Sequence, residues 1–143
     1  MKKTSKCFTR ILTVVLALCM LTFTFSTVSA ATPTVQPRYQ RICYFSTSLT
    51  ISSSGRATCY GSVTPWDTTD IVDLTAELQR APQGGTWTTI KTWTNSGSVS
   101  VSVDKDWYVA SGYYYRVRVT ADIYTADGTF VEGVTEYSLT KYY

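Results

Sequence analysis

The chain contains no histidine. That removes the commonest general base, the usual serine and cysteine triads and most zinc sites. Carboxylates remain, and a glycosidase would need two of them facing one cleft. Glu77, Asp122, Glu132 and Glu136 fall instead at outward positions of alternating segments, and Asp104, Asp106 and Asp127 at turns. They read as solvated faces and turn-makers, so no catalytic residue is assigned and the chain reads as a non-enzyme. Asp67, Asp70 and Asp73, spaced three apart beside a loop, offer the oxygen ligands that calcium takes. No EF-hand or repeat spacing accompanies them, and neither a metal nor a cofactor is expected.

Aromatic rings are the compositional excess, with eleven Tyr and four Trp. Strand preference and core filling account for most of them. Trp87, Trp93, Tyr113, Tyr115 and Tyr137 are assigned to the core or its edges. Trp66, Trp107, Tyr108, Tyr114 and Tyr124 are harder to bury, and Trp66, Trp107 and Tyr108 are the candidate ligand contacts. A planar exposed ring suits stacking on a sugar or docking on a protein surface.

The first thirty residues read as a signal peptide. Lys2, Lys3, Lys6 and Arg10 form a basic start, Ile11 to Phe25 is mostly apolar, and Val28-Ser29-Ala30 is a small-x-small cleavage signal. The apolar run is shorter than the roughly 20 residues a membrane span needs, and threonines interrupt it. Residues 31–38 read as a flexible leader and 39–143 as one domain. Four of the thirteen basic residues lie in the signal, leaving nine against ten acidic ones, a formal −1. No basic run survives, so neither nucleic acid nor, after cleavage, a membrane is an expected partner. The oligomeric state is left open.

Cys43 and Cys59 are the cysteines outside the signal. Export and an even count favour a bridge between them. Strand geometry opposes it. In the register deduced below, Cys59 faces Leu49, and Cys43 lies six residues further along the same strand. That is roughly 20 Å away, whereas a bridge tolerates at most about 7 Å between Cα atoms. Bridged and free forms both remain open, with Cys59 inside beside Ala57 in either.

The elements that must carry these residues are strands. From Tyr113 to Ile123, residues Tyr113, Tyr115, Val117, Val119, Ala121 and Ile123 point one way, and Tyr114, Arg116, Arg118, Thr120 and Asp122 the other. Seven such segments, with no convincing helix, predict a single all-β antiparallel sandwich. Ile42 to Ile51 and Arg56 to Val63 form a hairpin around Ser53-Ser54-Gly55, with Ile51 opposite Ala57 and Leu49 opposite Cys59. In Ile71 to Arg80, Leu74, Ala76 and Leu78 point inward; Asp73, Thr75, Glu77 and Gln79 point outward. The spacing of Trp87, Ile90 and Trp93 every third residue fits no flat strand face and predicts a bulge. Val99, Val101 and Val103 mark a strand, and Asp104 to Gly112 a crossing. For the last hairpin, a loop of Ala126-Asp127-Gly128 sets Ile123 against Val131, Val117 against Tyr137 and Arg118 against Glu136. It is preferred because the alternative register turns Glu132 and Glu136 toward the core, where unpaired carboxylates are costly.

Val109 and the run Tyr115-x-Val117-x-Val119-x-Ala121 resemble the strand-F signature of fibronectin type III domains, although Ser111 and Tyr113 stand where that family usually has Pro and Thr. The resemblance implies an immunoglobulin-like sandwich in which Tyr115 is a structural tyrosine corner, its hydroxyl bonding main chain near Val109 to Ser111. Ile51-Ser-Ser-Ser-Gly-Arg-Ala-Thr-Cys59, Leu78-Gln-Arg80, Gly85-Thr-Trp87 and Gly112-Tyr-Tyr-Tyr-Arg116 also resemble small secreted bacterial proteins of unknown function. That implies secretion and one β domain. The expected function is a secreted, extracellular, non-catalytic binding module for cell-surface polysaccharide or another protein. The alternative is a small secreted antibacterial or bacteriocin-like effector, and an enzyme is the distant third.

Overall fold

The computed structural model describes residues 39–143. The signal peptide expected over 1–30 and the leader over 31–38 lie outside the described residues. The elements are β1 (Ile42–Ile51), β2 (Arg56–Pro65), β3 (Ile71–Ala81), β4 (Thr88–Gly97), β5 (Val101–Tyr108), β6 (Tyr114–Tyr124), β7 (Phe130–Tyr137) and β8 (Lys141–Tyr142). They form two antiparallel sheets. The smaller has the order β1-β2-β5; the larger has the order β4-β3-β6-β7, with β8 also paired to β6.

The alternation of β6 decides what is inside. Tyr115, Val117, Val119, Ala121 and Ile123 are fully buried. They share one core with Val72, Leu74, Ala76 and Leu78 of β3, and with Leu49, Ala57, Cys59, Val63, Val101 and Val103 of the smaller sheet. The sheets approach closely at Gly61, where a Cβ would lie 2.8 Å from a Val119 methyl. Tyr115 donates its hydroxyl to Ala110 O at 2.6 Å, within the span the resemblance implies. Burial pushes that phenol's pKa up.

The first hairpin has the expected register, Ile51 opposite Ala57 and Leu49 opposite Cys59, with Gly55 at φ 80. Cys43 and Cys59 are both free thiols, Cys43 exposed and Cys59 buried. Of the two forms left open, the structure has the free one, with the thiols far apart along one hairpin. β5 also differs from expectation. It runs through Tyr108, pairing Asp106 with Thr58 and Tyr108 with Arg56, so Asp104 and Asp106 lie on a strand and not in a turn. A Thr58–Asp106 hydrogen bond of 2.6 Å and an Arg56–Asp106 ion pair of 3.8 Å hold this extension. Val99, expected on this strand, is exposed and precedes it.

The closing hairpin corrects the expected register. Its loop is the three-residue Ala126-Asp127-Gly128, closed by Thr125 N to Thr129 O at 2.9 Å, with Gly128 at φ 86. Tyr124 then pairs with Phe130, but Ile123 pairs with Glu132, leaving Val131 as an inserted residue. This β-bulge turns every later residue of β7 over. Val119 faces Glu136, and Arg118 faces Tyr137. The carboxylates are neither fully buried nor unpaired. Glu132 accepts the backbone N–H of Gln40 at 3.1 Å and of Arg41 at 2.8 Å, and Glu136 accepts the Tyr39 hydroxyl. Both lie at the sheet margin, where they fasten the start of β1. The desolvation penalty that favoured the other register does not arise.

Two consequences can be measured. Tyr115→Phe removes the bond to Ala110 and is expected to lower stability by about 0.5–1.5 kcal/mol, or more because the carbonyl is left without that donor. An unchanged denaturation midpoint would show that the bond contributes nothing. Burial, with Asp106 and Asp104 nearby, pushes the Cys59 thiol from its ordinary 9.0 up to about 12. A raised folded pKa gives stability that is fully present below the unfolded value and is lost as pH rises toward the folded one. The stability advantage of the wild type over Cys59→Ala is therefore expected to shrink steadily as pH rises above 9.0. Denaturant unfolding of both proteins at stepped alkaline pH reads this, and a constant gap would contradict it.

Candidate functional site

The candidate ligand contacts do not form one site. Trp66 is 64% exposed and follows the end of β2 that pairs with Ile42. Trp107 and Tyr108 pair with Ala57 and Arg56 at the other end of β2. About nine residues separate Trp66 from Ala57 along the chain, or roughly 30 Å of strand. Trp107 and Tyr108 also point to opposite faces, as successive strand residues must. Trp107 lies at the margin between the sheets with Lys91 Nζ 4.6 Å from its ring centroid. Tyr108, 70% exposed, stands on the outer face of the smaller sheet.

The rings that do gather are on the outer face of the larger sheet, along β6. Near its start the Arg116 guanidinium lies 4.2 Å from the Trp87 ring centroid and 4.3 Å from that of Tyr137. Its Nε donates to Gln79 Oε1 at 2.8 Å, and Gln79 Nε2 donates to Thr89 Oγ1 at 3.3 Å. Gln79 is outward by register but buried, because this stack covers it. Towards one end of β6, Tyr114 and Tyr142 have ring centroids 5.0 Å apart. Towards the other, Tyr124 and Phe130 meet edge to face at 5.6 Å. Beside the stack, Arg118 is hydrogen-bonded and ion-paired to Glu77, not to Glu136 as expected. The Glu77 hydrogen bond raises the Arg118 pKa further.

Two bulges bring this about. In β4, Leu78 pairs with Lys91 but Gln79 with Thr89, so Ile90 is inserted. The parity change keeps Trp93 against the core and sends Trp87 outward. In β7 the insertion of Val131 sends Tyr137 outward, 46% exposed. β3 and β7 flank β6, and the displaced rings close on Arg116 from both sides. Of the five aromatics expected at the core, Tyr115 is in it, and Trp93 and Tyr113 pack against it. Trp87 and Tyr137 belong to the outer face. The triplet spacing of Trp87, Ile90 and Trp93 is the signal that could have placed Trp87 outside.

The rest of the face differs in character. Asp73 and Asp122 sit directly opposite one another, with Ser96 Oγ donating to Asp73 at 2.6 Å. They line a shallow groove of about 390 Å³ with Thr75, Thr94 and Asn95. Like charges so placed repel. Asp67, Asp70 and Asp73 do not converge. Asp67 accepts the Thr69 N–H and hydroxyl, buried Asp70 pairs with Arg41 at 3.5 Å, and Asp73 holds Ser96. Among the described residues no group of three metal-ligating side chains forms.

No family and no curated protein matches the chain. Among solved structures it is similar to a crystal structure named endonuclease/exonuclease/phosphatase, from Beutenbergia cavernae, at 25% identity and a TM-score of 0.31. The match covers 67% of this chain and 27% of that one, so the chain spans about a quarter of that protein's length. A likeness this loose carries no argument about activity.

The stack makes its own prediction. Trp87→Ala and Tyr137→Ala are each expected to cost about 0.5–2 kcal/mol through the lost cation–π contact. Most of that cost should disappear in an Arg116→Met background. Full additivity in the denaturation cycle would show that the rings do not act through the guanidinium.

Proposed function

We propose that the chain is a secreted, non-catalytic binding module that docks an extended cell-surface polysaccharide on the outer face of its larger sheet. The observation that carries this is the group of rings at the start of β6: Tyr114 with Tyr142, beside Trp87 and Tyr137 about Arg116. Rings packed against one another and against Arg116 are held in place, so little side-chain freedom is lost when a ligand ring settles on them. A protein partner would be expected to fill well-packed pockets with its anchor residues. The groove of about 390 Å³ on this face lies instead on the Asp73 and Asp122 half. A surface group of rings favours a polymer of sugar rings.

The fold is read as fibronectin type III-like. The order β1-β2-β5 in one sheet and β4-β3-β6-β7 in the other, to which β8 adds a fifth strand on β6, supports this, as does the Tyr115 bond to Ala110. Secretion rests on the basic start, apolar run and cleavage signal of residues 1–30.

The test is a tryptophan-fluorescence titration of the purified protein against a panel of cell-wall glycans. A saturable response to at least one glycan is expected, weakened in Tyr137→Ala and Tyr114→Ala and retained in Trp66→Phe. Silence across the panel would overturn this reading, and a growth-inhibition assay on neighbouring bacteria would then be the test of an effector.

A further inference from the structure

Among the described residues, Arg41, Arg56 and Arg118 each pair with a carboxylate. Arg80, which lies over the Tyr113 ring, and Arg116 pair with none; Arg116 is the one between two rings of the outer face. Its charge is enclosed by the Trp87 and Tyr137 rings, and its Nε is committed to Gln79. No hydrogen bond or ion pair among the described residues engages its two terminal nitrogens. The nearby Glu77 carboxylate belongs to Arg118, and the other outward carboxylates of this sheet, Asp73 and Asp122, lie at the far end of the face. An arginine held between two rings loses little freedom on binding, and its planar fork matches a carboxylate through two parallel hydrogen bonds. On this sheet a preorganised cation stands among the rings at the start of β6 without a counter-charge.

On the platform reading above, we infer that the polysaccharide is acidic and that Arg116 receives a carboxylate of a uronic acid residue while the flanking rings take the sugar faces. Charge complementarity identifies the ligand: Arg116 and Arg118 against one internal carboxylate make this half of the face positive. The Asp73–Asp122 half repels an anionic chain, and so fixes which end of the face the polymer occupies. A free acidic peptide offers the carboxylate without the flat rings, which leaves Tyr114 and Tyr142 unused.

The purified protein is titrated with polygalacturonate, alginate and hyaluronate, each beside its carboxyl-reduced neutral form, and with polyglutamate. At least one polyuronate should bind at least about tenfold more tightly than its reduced form, with affinity falling as salt rises. Arg116→Lys keeps the charge and loses the fork, so it should lose most of that preference. Gln79→Leu, which releases Nε but leaves both rings, gives a second reading if the first variant folds poorly. It should weaken the acidic polymer and not the neutral one. Tyr108→Ala, on the other sheet, should behave as wild type. Equal binding of acid and reduced forms would overturn the acidic ligand while leaving the platform in place. Binding of polyglutamate as tight as any polyuronate would overturn the sugar and keep the carboxylate. Failure of every acidic and neutral glycan would remove both readings together.

Discussion

The inner face of β6 is the constraint on which the rest of the structure depends. Five consecutive inward residues, Tyr115 to Ile123, are excluded from water, and each inward side chain of β3 is paired against this strand. A fully buried aliphatic side chain contributes about 1.5–3 kcal/mol. Any slip of β6 by one residue would exchange that set for Arg116, Arg118 and Asp122. The strand is therefore fixed in register, and its outer face is fixed with it. Arg116 stands where it does because Tyr115 and Val117 must point the other way.

What the flanking strands add is irregularity. An even pleat in β4 would have put Trp87 on the same face as Trp93, and an even pleat in β7 would have put Tyr137 beside Val117. Insertion of Ile90 and Val131 turns both rings outward. The arginine stack is thus a product of two local defects in otherwise regular strands. Their removal would leave the guanidinium without either ring.

This also explains which parts of the structure are legible in the sequence. The alternation of Tyr113 to Ile123 is readable because a period of two over that length has one meaning. The first hairpin is readable because Gly55 fixes the loop and only one register keeps Leu49, Ile51, Ala57 and Cys59 together. The Trp87–Ile90–Trp93 spacing announces a bulge openly. The bulge at Val131 is silent: Phe130-Val-Glu-Gly-Val-Thr-Glu can be threaded either way. Desolvation disfavours the observed register only while Glu132 and Glu136 are considered in isolation. Their partners, the amides of Gln40 and Arg41 and the hydroxyl of Tyr39, lie more than ninety positions away in the chain. The candidate site was missed for the same reason, since Tyr137 follows the silent bulge.

β4 and β7 are the two edge strands of the larger sheet. An edge presents unpaired backbone donors and acceptors in a straight row, which is the template for adding a strand from another molecule. An inserted residue breaks that row and increases the local twist. Ile90 and Val131 therefore interrupt both open margins of the sheet, and Glu132 and Glu136 add charge to one of them. The smaller sheet is guarded similarly, by the irregularity at Cys43 in β1 and by Asp104, Lys105 and Asp106 in β5. Sheets with open margins and exposed rings are otherwise exposed to edge-to-edge pairing between copies. Here the defects that assemble the aromatic face also keep neighbouring copies from zipping together.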